Sequence, residues 1–199
     1  MTTKINDNDL RTLKTRRAIK STFQDLICET DARSISVSKV AGCAQINRKT
    51  FYLHYDCIED LFDETVHEIC AGLSDAFDKH GLPMSGPEAD QVFFEYFTNQ
   101  APYVERIVCE SSYRPYEELL LQKTVFIVRN ALGFSMYLTK DDEDVMDHFF
   151  VRNLFDMYRR WIAFGKKIPV DRLVQLSNLH LYDDVSHHKD DDGEIIDLR

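Results

Sequence analysis

The chain has 199 residues, of which 44% are apolar, and a formal net charge of −10 at pH 7. This length and composition are those of an ordinary globular protein with one sizeable core or two small ones, and they exclude a chain that is disordered throughout. The sequence has no run of about 18 apolar residues and no signal-peptide pattern, so we expect a soluble cytoplasmic protein that does not bind membranes.

The charge is distributed unevenly along the chain. Residues 1–55 carry ten Lys/Arg and five Asp/Glu, whereas residues 56–199 carry fourteen Lys/Arg and twenty-nine Asp/Glu. The first part is therefore the one expected to approach a polyanion, and the acidic remainder would be repelled by it.

The first predicted helix begins at Leu10, after an arm of residues 1–9 that lacks periodicity and is expected to be flexible. Its apolar residues, which include Ile19, Phe23 and Leu26, lie on one face. Near its start the helix carries four basic side chains, which are Lys14, Arg16, Arg17 and Lys20.

Two short helices joined by a tight turn are predicted next. Ser36 is a good N-cap, and apolar residues recur at helical spacing over residues 37–44. Gln45 interrupts this pattern, and Asn47 provides a second N-cap for a helix over residues 48–55. Such a pair of helices is a helix-turn-helix.

The face of the second helix that is expected to be exposed carries hydrogen-bond donors and no acidic residue, a composition typical of a helix in the major groove of DNA. Its donors are Arg48, Lys49, Thr50, Tyr52 and His54. If this helix reads DNA, the basic side chains of the first helix are positioned to contact phosphates, with an ordinary solvated face as the alternative.

The remainder of the chain is also predicted to be helical. A long helix over residues 58–80 ends at a segment rich in glycine and proline, residues 81–87. Apolar spacing and proline positions then predict helices over about 88–99, 102–109, 115–137, 141–165 and 169–181. Residues 183–199 form an acidic tail that we expect to be disordered, with a metal site at its paired histidines as the less favoured alternative.

The predicted helix over residues 141–165 has two adjoining apolar stripes. One stripe contains Met146, Phe150, Met157, Trp161 and Phe164, and the other contains Leu154, Phe155, Tyr158 and Ile162. Together they cover about half of the circumference, more than the ~100° that a one-sided surface helix needs. Either this helix is central in its own domain or one stripe faces another chain. We favour a homodimer interface that includes Met157, Trp161 and Phe164.

Residues 47–55, NRKTFYLHY, give the sequence a specific resemblance. Together with residues 59–61 (EDL) and 15–19 (TRRAI), this run is similar to the DNA-binding domain of the TetR (tetracycline-repressor-like) regulators over about the first third of the chain. Two positions depart from that family's pattern. Gln45 stands where glycine, which tolerates a positive φ, is common, and Ile58 stands where a lysine that touches a phosphate is usual.

The resemblance implies an all-α protein with an N-terminal three-helix helix-turn-helix domain (1–57), a helical dimerisation and effector-binding domain (58–182) and a tail (183–199). It implies a homodimeric repressor on a near-palindromic operator, controlled by a small-molecule effector. By the same resemblance, bases would be read by Arg48, Lys49 and Tyr52, and phosphates would be held by Lys14, Arg17, Ser38, Thr50 and His54. The family's dimers form through the last two long helices, which supports the interface proposed above.

Two alternatives come from other classes of protein. A helical interaction protein that no longer binds DNA would be consistent with Ile58 and with the acidic bulk of the chain. An enzyme is less favoured, because we find no glycine-rich phosphate loop, metal-ligand spacing or catalytic triad signature. We therefore predict no catalytic residue, cofactor or metal. The five cysteines, which form no CxxC pair, predict reduced thiols, with a redox switch as the alternative.

Overall fold

The computed structural model describes residues 7–132 and 140–181, and the side chains of residues 10–132 and 144–179. The described residues form nine α-helices and two short 3₁₀ turns, with no strand among them, which confirms the all-α prediction. The helices are α1 (Asp7–Glu29), α2 (Val37–Cys43), α3 (Arg48–Phe51), α4 (Ile58–His80), α5 (Gly86–Thr98), α6 (Pro102–Cys109), α7 (Arg114–Leu132), α8 (Lys140–Ala163) and α9 (Val170–Leu181). Within these ranges, no helix is long and apolar enough to cross a membrane.

The third helix is shorter than predicted. α3 ends at Phe51, and the chain continues in a turn in which the Leu53 amide donates to the Thr50 carbonyl at 3.3 Å and the His54 amide to the Phe51 carbonyl at 2.9 Å. Bonds that span three residues tighten the backbone relative to an α-helix, as often happens in a last turn. The predicted helix over 48–55 is therefore wrong in its length, although its start is correct.

The first helix begins earlier than predicted, at Asp7 and not at Leu10. The two predicted N-caps are confirmed. Ser36 caps α2 by accepting from the Lys39 amide at 3.3 Å, and Asn47 caps α3 by accepting from the Lys49 amide at 2.9 Å. Residues 7–9 of the expected flexible arm (1–9) are helical. The rest of that arm, the expected end of α7 near residue 137 and the tail from residue 183 lie outside the described residues.

The chain packs as two compact units. The first contains the described residues up to Glu68 together with Ala101–Glu117, and the second contains Ile69–Gln100 and the described residues from Glu118 onward. α4 contributes residues to both units, and α6 belongs to the first. The functional boundary that the sequence predicts at residue 57 remains a prediction.

The core of the first unit is built around aromatic side chains. Phe23 of α1 meets Phe62 of α4 edge to face, with ring centroids 4.7 Å apart. Tyr113, fully buried, donates its hydroxyl to the carbonyl of Thr30 at 2.6 Å and so ties the segment after α6 to the end of α1. Such pairs combine apolar burial with a satisfied polar group.

The second unit has a separate aromatic core. Phe93 and Phe97 of α5 pack against Phe155 of α8 at centroid distances of 5.1 and 5.2 Å. Tyr158 lies beside them and donates its hydroxyl to the Phe97 carbonyl at 3.2 Å. These residues are buried to within 1% exposure.

Candidate nucleic-acid interface

α3 is fixed to the first unit by its apolar side. Phe51 is fully buried, and its ring lies 5.5 Å from that of Tyr55. The turn before α3 is held by the Ile46 amide, which donates to the carbonyl of the buried Ala41 at 3.0 Å. Because one side of this short helix is anchored, its opposite side is presented in a defined orientation.

The five predicted donors lie together on α3 and the turn that follows it. Arg48, Lys49 and Tyr52 are exposed, Thr50 and His54 are half-buried, and Ser38 is exposed in the first turn of α2. Beside them is Leu53, which is 81% exposed and which the sequence analysis did not single out. An exposed leucine among donors would offer an apolar contact of the kind that reads a thymine methyl group. Leu53 could have been predicted as a contact from the sequence, because it lies between the predicted contacts Tyr52 and His54.

The basic cluster of α1 divides into two pairs. Lys14 and Arg17 are exposed, and neither forms an ion pair with another described residue. Arg16 instead pairs with Glu64 of α4 at 3.0 Å, and Lys20 pairs with Glu64 at 3.3 Å and with Glu68. Two of the four cations are therefore available to a phosphate, while the other two join α1 to α4.

The tie between α1 and α4 also holds the end of the α3 turn. The Arg16 Nε donates to the Tyr55 hydroxyl at 3.3 Å. Burial raises the pKa of Tyr55 to about 12, so its hydroxyl is neutral at physiological pH. Burial alone would raise the pKa of Glu64, but the hydrogen bonds from Arg16, Tyr55 and Lys20 have the larger effect. The net result is a pKa of Glu64 below its usual value. Glu64 is thus an ionised carboxylate that orients Arg16 against Tyr55.

The predicted dimer residues lie at the surface of the second unit. Phe164 is 59% exposed, and Met157 and Trp161 are half-buried. Towards the start of α8, Met146 of the same stripe is exposed, and so are Val145 and Phe149 beside it. The adjoining stripe, Leu154, Phe155 and Tyr158, is buried in the unit. The structure therefore buries most of the second stripe, and contact of the first stripe with another chain stays a prediction.

Comparison with known proteins shows which regulators this chain is similar to. No protein-family model matches the chain. A 68-residue segment is 34% identical to the uncharacterised helix-turn-helix-type transcriptional regulator YxbF of Bacillus subtilis, covering 34% of this chain and 18% of that protein. The chain therefore spans less than a fifth of this curated relative. The structure of a TetR transcriptional regulator from Streptococcus agalactiae matches 87% of this chain and 97% of its own, with a TM-score of 0.70 and 25% identity. The chain is thus similar to a TetR transcriptional regulator in fold over most of its length.

The fold likeness extends to more distant proteins. The fatty acid degradation regulator FadR of Bacillus halodurans matches 84% of this chain and 94% of its own, with a TM-score of 0.62 and 16% identity. At that identity the likeness concerns the fold alone.

Both departures from the TetR-family pattern have a structural counterpart. Gln45 adopts a left-handed conformation at φ +54°, so the turn keeps the backbone shape that glycine usually provides. Ile58 opens α4, and its first turn carries Glu59 and Asp60 and no cation. The Asp60 carboxylate accepts from the amides of Asp56 and Cys57 at 2.8 and 3.1 Å, and these bonds lower its pKa. A negative charge therefore stands at the helix start where the family pattern would contact a phosphate.

Proposed function

We propose that this chain is a sequence-specific DNA-binding transcriptional regulator of the TetR type, a homodimeric repressor of a near-palindromic operator under the control of a small-molecule effector. The observation that carries the proposal is the face of α3, which combines a capped start and a buried Phe51 with exposed donors and no acidic side chain. This is the composition expected of a short helix that enters the major groove.

The proposed contacts divide by chemistry. Arg48, Lys49 and Tyr52 would read base edges, because they are exposed on α3 and its turn. Phosphates would be held by Thr50 and His54, which border the same face, and by Lys14, Arg17 and Ser38. Phosphate contacts position the protein, whereas base contacts specify the sequence.

The first test separates these two roles. An operator is selected from random duplex DNA, and its affinity is measured over a series of salt concentrations. Lys14→Ala should weaken binding to every duplex alike and lower the slope of log K against log salt by about 0.9, the value for one phosphate. Arg48→Ala should cost about 1–3 kcal/mol on the selected operator and relax the base preference at one position.

Lys79→Ala, which removes an exposed cation at the end of α4 in the second unit, is the matched control and should leave both quantities unchanged. A plot with no salt dependence would refute the DNA-binding proposal. In that case the acidic first turn of α4 would favour the second candidate, a helical interaction protein that has lost DNA binding.

The proposed homodimer rests on the exposed stripe of α8, with Met157, Trp161 and Phe164 at its C-terminal end. Phe164→Glu should place a charge in an apolar interface and shift the protein towards monomers in analytical ultracentrifugation. Phe164 is preferred to Trp161 for this test, because the Trp161 indole also donates to the Ile168 carbonyl at 2.8 Å and its loss would disturb the chain itself. Leu82→Glu, at a 48% exposed leucine between α4 and α5, is the control and should stay dimeric. A folded Phe164→Glu protein that remains dimeric would contradict this interface.

We propose no catalytic function for this chain, since the proteins that it is similar to are regulators. Turnover of a small molecule by the purified protein would contradict that proposal.

A further inference from the structure

The proposed recognition helix α3 is too short to fix its own orientation. It has four residues, whereas an isolated helix of fewer than about 12–15 residues is at best marginally stable in water. Two of the proposed DNA contacts, Tyr52 and His54, follow α3 in a turn that ends at Tyr55. Side-chain contacts with the neighbouring helices must therefore hold this turn in place.

Tyr55 anchors the end of the turn. Its side chain is 6% exposed, and its ring lies 5.5 Å from the ring of the buried Phe51. Apolar burial has no preferred direction, whereas a hydrogen bond does. The Tyr55 hydroxyl accepts from the Arg16 Nε at 3.3 Å, and it is also a hydrogen-bond partner of the Glu64 carboxylate. The hydroxyl is thus the part of Tyr55 that sets the orientation of the turn.

Glu64 of α4 holds this arrangement together. One of its carboxylate oxygens accepts from the Arg16 Nη2 at 3.0 Å, and the other lies 3.3 Å from the Lys20 Nζ. The Glu64 side chain is 20% exposed and the Arg16 side chain is 51% exposed. Ordering so long and exposed a side chain costs conformational entropy, so Arg16 stays beside Tyr55 only while the ion pair with Glu64 offsets that cost.

We propose that Glu64 is a positioning residue for DNA recognition, which fixes the turn after α3 through Arg16 and the Tyr55 hydroxyl. Glu64 is an anion and would be repelled by a phosphate, so it acts on DNA binding only through this turn. The turn carries Tyr52, a proposed base contact, and its orientation therefore affects sequence preference. The role in DNA recognition rests on the function proposed above, whereas the positioning of the turn does not.

Two properties of DNA binding should respond differently when this contact is broken. Attraction to any duplex comes from cations such as Lys14 and Arg17, which do not take part in the contact. Preference for one sequence depends on side chains held at the base edges. Loss of the contact between Glu64 and the turn should therefore reduce the ratio of operator affinity to random-DNA affinity.

Tyr55→Phe is the central variant, because it keeps the ring against Phe51 and removes only the hydroxyl. In the full-length protein without DNA, hydrogen exchange at the amides of residues 53–55 should become about tenfold faster, the effect of one lost hydrogen bond. Affinity for a selected operator should fall about tenfold, while affinity for random duplex DNA stays unchanged. Tyr116→Phe removes the hydroxyl of a tyrosine that is stacked on Phe62 in the first unit, and as the matched control it should change neither.

Two further variants test whether Glu64 acts through this hydroxyl. Glu64→Gln should lower the ratio of the two affinities about tenfold, and the change in net charge cancels in that ratio. In the Tyr55→Phe background, adding Glu64→Gln should lower the ratio no further. Lys20→Gln removes an ion pair from the same carboxylate but not the contact with Tyr55, so it should leave the ratio unchanged.

Several results would overturn the inference. The first is an unchanged rate of amide exchange in Tyr55→Phe, and the second is a parent protein that selects an operator which Tyr55→Phe prefers just as strongly. The third is a full additional loss when Glu64→Gln is combined with Tyr55→Phe, because Glu64 would then act by another route. An equal loss of preference in Lys20→Gln would reduce the role of Glu64 to general stability.

The exchange measurement uses no DNA, so it separates this inference from the proposed function. If the parent selects no operator and exchange in Tyr55→Phe is still faster, the proposed function is wrong and Glu64 nevertheless positions the turn. If the parent selects an operator and Tyr55→Phe behaves like the parent in both measurements, the inference alone is wrong.

Discussion

Gln45 keeps the backbone shape of the helix-turn-helix turn, although glycine is the usual residue at this position. Its φ of +54° is a conformation in which a side chain with a Cβ is crowded against the following carbonyl, and this costs about 1–2 kcal/mol. We expect Gln45→Gly to raise the free energy of unfolding in urea by about 1 kcal/mol, because glycine adopts this conformation without that cost. Gln45→Ala keeps the Cβ and is the control. A glycine variant no more stable than the alanine variant would show that the turn is not strained.

The residue scale also shows what the sequence could and could not indicate. Asn47 and Ser36 could be recognised as caps, because a cap acts within one turn of its own position. The hydrogen bond between Arg16 and Tyr55 joins residues 39 positions apart, and Glu64, the ion-pair partner of Arg16, lies on a different helix. The sequence therefore showed four equivalent cations on α1, and packing alone determined which two of them face α4.

Two glycines that lie within helices, Gly42 and Gly72, should respond to substitution by alanine in opposite ways. Gly42 in α2 has no atom within 4 Å of the position of an added Cβ, so Gly42→Ala should stabilise the protein by about 0.5–1 kcal/mol through helix propensity alone. The added Cβ at Gly72 in α4 would lie 2.6 Å from the hydroxyl oxygen of Tyr96. That hydroxyl donates to the Ile69 carbonyl at 2.6 Å, so Gly72→Ala should displace it and lower the free energy of unfolding by about 1–3 kcal/mol.

The same pair can be tested by a double-mutant cycle in urea unfolding. In a Tyr96→Phe background the hydroxyl is absent, so adding Gly72→Ala should cost less than it does in the parent chain. If Gly72→Ala lowers the free energy of unfolding equally in both backgrounds, the clash is not with the Tyr96 hydroxyl. If Gly42→Ala destabilises the protein, the space beside Gly42 is not open as described.

Element ends followed from local signals, but the orientation of α8 did not. Pro102 correctly predicted the start of α6, because proline suits a first helical position. α8 carries aromatic residues on both apolar stripes, so its sequence gave no basis for choosing which one faces the core. In the structure the stripe with Phe155 packs against Phe93 and Phe97, whereas Phe149 and Phe164 remain exposed.

At the scale of the whole molecule, α4 is divided near its middle between the two compact units, and α7 is divided near its start. The residues of α4 up to Glu68 belong to the first unit, and those from Ile69 onward belong to the second. The first unit contains the proposed recognition helix and the second contains the proposed dimer face. If the chain acts as a dimer, the spacing of its recognition helices must match half-sites about 34–36 Å apart, one turn of DNA. A stiff α4 would therefore restrict the operators that the dimer can bind.

This restriction can be measured without knowledge of the effector. Replacing Glu68-Ile69 by Gly-Gly softens α4 at the division, at about 1 kcal/mol of helix propensity per glycine. Replacing the same residues by Ala-Ala removes the same side chains, including the carboxylate that pairs with Lys20, and keeps the helix stiff. On operators lengthened or shortened by two base pairs between half-sites, the parent and the Ala-Ala protein should lose most of their affinity. The Gly-Gly protein should lose clearly less, because its recognition helices can adopt other spacings. If the Gly-Gly and Ala-Ala proteins discriminate equally between the spacings, the stiffness of α4 does not set the distance between the two recognition helices.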